Sequence, residues 1–284
     1  MITGPEVSAN TDQHAAPLQA WDAIAKGYDR YVAPQEAELA NEALAHVGLR
    51  AGDRFLDVAG GPGGLTLPAA RIGAHAVATD WSPTMIERFE ARVREEGLQN
   101  TEGRVMDIHA LEFEDDSFDV TGSQFGVMLV PDQPFALREM VRVTRPGGRV
   151  LVIAYGSPDK FEALQVFIGA LQAVVPDFPG LPDDPPPLEF QLSDPDVFAA
   201  RLTAAGLTGV WVESTSERLR FDSGDEMWNW IYYSNPIGEM VVGDLAEEQR
   251  STIRQVLNGI LRERSGGSGQ AELTNEVLIG IGTK

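Results

Sequence analysis

Five short runs of β type, "DRFLDVAG", "HAVATD", "GRVMDI", "FDVTGSQF" and "GRVLVIAYG", lie between residues 53 and 156, and helical patterns such as "SPTMIERFEARVREEG" and "DQPFALREMVRVTRPGG" separate several of them. Strands that alternate with helices need crossover connections, which predicts an α/β fold with a mostly parallel sheet. The first run leads into "AGGPGG", four glycines and a proline, and then into a helical segment. That order leaves bare backbone N–H groups at the carboxyl edge of the sheet, where open α/β folds bind ligands.

The flanking segments add helices. "LQAWDAIAKGYDRYV" and "PQEAELANEALAHVGL" carry apolar residues at helical spacing and are divided at Ala33-Pro34, so helices are expected over 15–48 behind a flexible tail, 1–14. After Tyr155 the alternation breaks into a helix over 159–174 and a connector, "PDFPGLPDDPPPLEF", too rich in proline to remain helical. A helix, "SDPDVFAARLTAAG", and a strand, "LTGVWVESTSERLRF", follow. From 222 to 270 the pattern is helical, with Leu245, Ile253, Val256, Leu257, Ile260 and Leu261 along one face, and "ELTNEVLIGIGTK" reads as a last strand. The expected organisation is one domain, 15–284, with helical lid insertions at 157–190 and 222–270.

Composition narrows the partners. The chain of 284 residues has no cysteine, which removes thiolate chemistry, disulfides and Cys-based metal sites. Its 22 basic and 43 acidic residues give a formal charge of −21, which repels nucleic acid and favours a small-molecule partner. The opening residues lack the pattern of a signal peptide and no later run is long enough to span a membrane, so a cytoplasmic location is expected.

The glycine turn has competing readings. A dinucleotide fingerprint requires a third glycine or alanine, but from Gly61 the spacing gives Gly63 and then Thr66. Asp57 places a negative charge where the strand meets the turn, which suits a cationic amine better than a pyrophosphate. A tight turn packing a helix onto a strand would also explain the glycines.

The order of motifs resembles that of class I S-adenosylmethionine-dependent methyltransferases, in the ubiquinone/menaquinone-biosynthesis-methyltransferase-like branch. "LDVAGGPGG" is similar to the family's D-x-G-x-G-x-G, with Ala59 replacing the first glycine and Gly61 and Gly63 matching the others. "VATDWSPTMI" resembles its second strand, "GRVMDIHALEFEDDSFDV" its next motif, and "FDVTGSQFGVMLVPD" with "REMVRVTRPGGRVLVI" its fourth and fifth strands. The resemblance implies a Rossmann-like, mostly parallel seven-stranded sheet with helices on both faces and an antiparallel last strand, and S-adenosyl-L-methionine as cofactor.

It also implies roles. Asp57 and the glycine turn would face the methionyl end, Asp80 the ribose hydroxyls and Asp107 with Ile108 the adenine, with Trp81 beside the ring and Gln124 at the sheet edge. Asp80 lies 19 residues after Gly61, near the offset expected of a ribose-binding acid. Each acid also has a structural reading: Asp57 or Asp80 as a helix cap, Asp107 as a turn residue. Trp81 has one as a core residue.

Methyl transfer from a sulfonium mainly requires alignment and exclusion of water, with a base where the acceptor must lose a proton. Tyr28 and His109 are the catalytic candidates; His14, His46 and His75 are expected to be structural or solvated. Tyr31, Phe125, Trp228 and Tyr232 are candidate acceptor contacts. No acid or histidine set has metal-ligand spacing, so metal independence is expected. The expected acceptor is a small aromatic or isoprenoid-like compound, methylated at oxygen or ring carbon. A non-catalytic S-adenosylmethionine-binding protein and a nicotinamide-dependent oxidoreductase are the alternatives.

Overall fold

Burial separates the two kinds of strand in the chain. Phe55 to Val58 are all buried, as in a parallel strand covered on both faces, whereas residues 208–221 alternate over part of their length. The computed structural model describes residues 18–178, 180, 185–243, 245–267 and 269–284; the expected tail and His14 lie outside the described residues.

The strands are β1 (Arg54–Val58), β2 (His75–Asp80), β3 (Thr101–Val105), β4 (Phe118–Gln124), β5 (Thr144–Tyr155), β6 (Thr208–Phe221) and β7 (Ala271–Thr283). They form one sheet in the order β3-β2-β1-β4-β5-β7-β6. The first five pair in parallel, and β7 runs antiparallel to both β5 and β6. From β1 the chain winds outward to β2 and β3, then returns to place β4 on the other side of β1. That reversal is the topological switch point at which open α/β sheets hold ligands.

One strand ends earlier than its sequence pattern predicts. "GRVMDI" spans 103–108, but pairing runs from Ala76↔Thr101 to Asp80↔Val105. β2 stops at Asp80, so the chain has no neighbour to pair with further on and turns away after Met106 donates to the Asp80 carbonyl at 2.9 Å. Asp107 and Ile108 therefore lie in a loop at the sheet edge.

The helices are α1 (Leu18–Gly27), α2 (Ala37–Val47), α3 (Thr66–Ile72), α4 (Pro83–Glu96), α5 (Gln133–Val143), α6 (Glu162–Val174), α7 (Pro195–Ala204), α8 (Gly224–Ser234), α9 (Pro236–Val242) and α10 (Glu247–Arg264). The expected helical segment 15–48 contains α1, a π-helical turn, Tyr28–Val32, and α2. The i→i+5 bond from Ala33 N–H to the Tyr28 carbonyl, 3.0 Å, closes that wider turn.

The main core packs helices on the parallel strands, with Phe55, Leu56, Leu137, Met140 and Val150 to Ile153 fully enclosed. A second core joins the two insertions. Phe167 and Leu171 of α6, Trp228 and Trp230 of α8, and Ile253, Leu257 and Leu261 of α10 meet Leu219, Phe221 and Leu273 of the antiparallel strands. The buried residues of α10 recur at i, i+4 and i+8. Of the others expected on that face, Val256 and Ile260 are half-buried and Leu245 precedes the helix.

Candidate active site

A cavity of about 250 Å³ opens at the switch point, bounded by the carboxyl ends of the parallel strands, by α1 and its π turn, and by residues of both insertions. Among the described residues no helix is long and apolar enough to cross a membrane.

The glycine turn forms the sheet-side wall. Ala59 adopts φ +54 and Gly61 φ +53, so the alanine that replaces a glycine occupies the left-handed region at some conformational cost. Gly60 has a different requirement: a Cβ there would lie 2.6 Å from the Asp57 carboxyl carbon. Gly63, at φ +98, supports the turn from behind, where a Cβ would meet the Phe89 ring at 2.6 Å.

Asp57 is fully buried at the end of β1. Its Oδ2 accepts from the backbone N–H groups of Leu65 and Thr66, at 3.2 and 2.9 Å, and from the Thr66 hydroxyl at 2.7 Å. It thus supports the start of α3, while Oδ1 has no hydrogen-bond partner. Burial pushes the carboxyl up to about 7, against the opposing effect of the Thr66 hydrogen bonds. Such an unpaired oxygen on a cavity wall would favour a cation.

Asp80 ends β2 on the same wall. Its Oδ2 accepts from Gly61 N–H at 3.0 Å and its Oδ1 from Ser82 N–H at 2.9 Å. Each oxygen retains a lone pair for a ligand hydroxyl. The cap of α4 is Ser82, whose Oγ accepts from Met85 N–H at 3.1 Å. Asp80 is free of that task, and burial pushes its carboxyl up to about 6. Asp22 on α1 accepts from the Ser82 hydroxyl and the Thr84 N–H, tying the lead-in helix to this loop.

Trp81, Asp107, Ile108 and His109 also line the cavity. Trp81 is 39% exposed and so is not a core residue. Asp107 Oδ1 accepts from His109 N–H at 2.8 Å and lies 3.0 Å from its Nδ1, while the ring stacks on Phe135 at 6.0 Å. His109 is therefore held by its own loop and neighbours the expected adenine acid. Of the other histidines, His46 packs edge-on against Trp211 and His75 is exposed.

The opposite part of the cavity is aromatic and acidic. Tyr28 donates to Glu36 Oε1 at 2.7 Å, and the Gln124 amide reaches the Glu36 carbonyl at 3.4 Å. Burial pushes Glu36 up to about 7 and the Tyr28 phenol well above its usual value. Phe125 turns inward with φ +60 and packs on Tyr155 at 4.6 Å. Tyr155 continues to Phe161 at 4.6 Å, and Phe161 to Phe190 at 6.1 Å and Trp230 at 6.5 Å.

Three expected contacts lie off the cavity wall. The π turn swings Tyr31 away from Tyr28, and it stacks on Tyr233 at 5.7 Å. On α8, Trp230, Ile231 and Ser234 reach the cavity. Trp228 is turned to the second core, against Phe167 at 6.1 Å and the Arg254 guanidinium at 5.4 Å. Tyr232 follows Ile231 by one residue, about 100° around the helix, and its ring meets Tyr233 edge-on.

Sequence reasoning missed Glu36, Tyr155 and Glu189, all on the cavity wall. Tyr155 had a usable signal, because it ends β5 at the same edge as Gln124. Glu36 and Glu189 had none, being single acids in acidic or proline-rich stretches.

The ubiE/COQ5 methyltransferase family model matches residues 35–181. The "Uncharacterized protein Rv1405c" of Mycobacterium tuberculosis is 33% identical over 221 residues, covering 75% of this chain and 76% of the relative. "Ubiquinone/menaquinone biosynthesis C-methyltransferase UbiE" of Bdellovibrio bacteriovorus is 39% identical over 115 residues, covering 40% of this chain and 48% of that protein. Among solved structures, the YcgJ protein of Bacillus subtilis aligns with a TM-score of 0.56 at 19% identity, covering 86% of this chain and 97% of that one. Phosphoethanolamine N-methyltransferase 2 of Haemonchus contortus, in complex with S-adenosyl-L-methionine, aligns with a TM-score of 0.53 at 17% identity, covering 87% and 52%.

Proposed function

We propose that this chain, which belongs to the ubiE/COQ5 methyltransferase family and uses S-adenosylmethionine, methylates a small, flat, largely apolar acceptor at an oxygen or an activated ring carbon. The observation that carries the acceptor reading is the aromatic wall of Phe125, Tyr155, Phe161, Phe190 and Trp230, which continues directly from the glycine turn and Asp80 within one cavity. The Bdellovibrio relative, named as a C-methyltransferase of ubiquinone/menaquinone biosynthesis, supports a ring-carbon acceptor.

The wall fits the donor. The unpaired Asp57 Oδ1 suits its cationic amine, the remaining lone pairs of Asp80 suit a diol, and the bare Gly60-Gly61 backbone admits close approach. The donor supplies an electrophilic methyl group, and the chain must align an acceptor and keep water out.

Tyr28 and Glu36 form the proton path in this reading. An acceptor hydroxyl gives its proton to the Tyr28 oxygen while the Tyr28 proton passes to Glu36 Oε1, 2.7 Å away. The phenol remains neutral in net terms, in keeping with its raised pKa, and the proton ends on a carboxyl pushed up to about 7. A base with that affinity is suited to transfer near neutrality. His109, paired with Asp107, orients the ring-binding end of the cavity rather than accepting the proton.

Calorimetric titration with S-adenosylmethionine, S-adenosylhomocysteine and NADH tests the site. Saturable binding of both adenosyl compounds, with none of NADH, is the expected result; NADH binding alone would move the protein to redox chemistry. Transfer of labelled methyl to an acceptor in a broad extract tests turnover, and its absence alongside tight cofactor binding would leave a non-catalytic binding protein. With that acceptor, Tyr28→Phe is expected to lower kcat by about 100-fold, at the low end for a proton-transfer group. Cofactor affinity should stay within about twofold, because the hydroxyl contributes to proton movement and not to the binding wall. Unchanged kcat would remove Tyr28 from the path.

A further inference from the structure

Glu189 is a carboxylate without a stated task in the site. It lies in a 3₁₀ turn, Leu188–Phe190, at the end of the proline-rich connector, and lines the cavity beside the aromatic wall. Its Oε2 is buried and has no hydrogen-bond partner among the described residues. Among the described residues no lysine or arginine lines the cavity.

A buried, unpaired acceptor implies that a ligand completes it, because leaving such a group unsatisfied is costly. The surroundings indicate the ligand's charge. Phe190 follows Glu189 directly, and its ring packs with Phe161 at 6.1 Å and Tyr155 at 6.3 Å. Aromatic faces favour a cation electrostatically, and a carboxylate among them completes the type of pocket that recognises an ammonium group. Glu36, Asp57, Asp80 and Asp107 line the same cavity, so the acids exceed the single net positive charge that the donor brings at neutral pH. An anionic acceptor would meet unopposed carboxylates, whereas a neutral hydroxyl would satisfy one lone pair and make little use of the rings or the excess charge.

We propose that Glu189 is a specificity-determining residue that selects acceptors carrying a protonated nitrogen, held against its carboxylate while the apolar body of the acceptor lies on Tyr155, Phe161 and Phe190. The inference rests on the reading of this chamber as the acceptor site. A protonated nitrogen is not nucleophilic, so it anchors the molecule and the methyl group goes to another atom, in agreement with an oxygen or ring-carbon acceptor. Burial, which holds the Glu189 carboxyl above its usual range, also favours a partner that restores its charge.

The test uses the full chain saturated with S-adenosylhomocysteine and three probes of one shape: 2-phenylethylamine, 2-phenylethanol and phenylacetate. The amine is expected to bind at least tenfold tighter than the alcohol and phenylacetate weakest of all. Glu189→Gln should abolish the amine's advantage while leaving S-adenosylhomocysteine affinity within about twofold, which also reports that the variant is folded. Equal or weaker binding of the amine in the native chain, absence of amine binding, or an advantage that survives in Glu189→Gln would each overturn the proposal. Failure of S-adenosylhomocysteine itself to bind would instead overturn the site assignment, so the two failures are distinguishable.

Discussion

Asp80→Ala is expected to weaken S-adenosylmethionine binding by roughly 100- to 1000-fold, about 3 to 4 kcal/mol, because two hydrogen bonds to a charged carboxylate contribute about 1.5 to 3 kcal/mol each. Asp80 has an indirect role as well as the direct one. Its Oδ2 holds Gly61 N–H at 3.0 Å, so the substitution also loosens the glycine turn against which the ligand would lie. Asp80→Asn separates these contributions: the amide oxygen can preserve one backbone contact while the charge is lost, and an intermediate affinity is expected. Calorimetry of both variants provides the check, with circular dichroism to establish folding. Native affinity in Asp80→Ala would refute the ribose assignment.

The second large effect concerns stability and lies below the cavity. Glu217 is 2% exposed, and its Oε2 accepts from the Asn275 amide at 3.1 Å. Asn275 in turn accepts from Ala163 N–H at 3.2 Å, joining β6, β7 and the start of α6. Burial pushes Glu217 up to about 8, with Glu36 adding to the rise and Asn275 opposing it. In the unfolded chain a glutamate titrates near its ordinary value, about 4.3. Between those values the folded state binds more protons than the unfolded one, so stability falls as pH rises. The contribution is fully present below about pH 4.3 and is lost as pH rises through about 8.

Glu217→Gln removes that titration while preserving an acceptor for Asn275. Referred to equal stability near pH 5, the variant should exceed the native chain by about 4 kcal/mol at pH 8.5, an order-of-magnitude figure from the linkage relation. Urea unfolding across that pH range would read the difference. Glu36, Asp57 and Asp80 are raised in the same direction, so the variant should retain a shallower slope of the same sign. Equal stability of the two proteins at pH 8.5 would show that Glu217 remains charged in the fold at no cost.

The parts legible in the sequence share a physical property: each is encoded within a few consecutive residues. The strands are short β-type runs between helical patterns, most apolar in Val150 to Ala154 of β5, the glycine turn declares its backbone requirement, and Asp80 follows at a spacing set by one strand–helix–strand unit. Local geometry also placed Gln124 and Phe125 at a strand end. Side-chain direction was less legible. The aromatic content of α8 is plain in its sequence, but packing decides that Trp230 borders both the second core and the cavity while Trp228 lies in that core and off the cavity wall. The π turn likewise separates Tyr28 from Tyr31, through an unusual hydrogen-bond register that composition does not announce.

The α/β alternation, the motif order and the acids at the first two strand ends follow from local residues alone, because strand periodicity and turn chemistry are local. Packing, in contrast, brings Glu36 to Tyr28, gathers Tyr155, Phe161, Phe190 and Trp230, and leaves Glu189 Oε2 without a partner among the described residues on the same cavity. Tyr28 and Glu36 are eight residues apart, yet it is the π turn between them that closes their contact; Phe190 and Trp230 come from separate segments, brought to one wall because burial of the apolar faces of both insertions against the antiparallel strands draws them together.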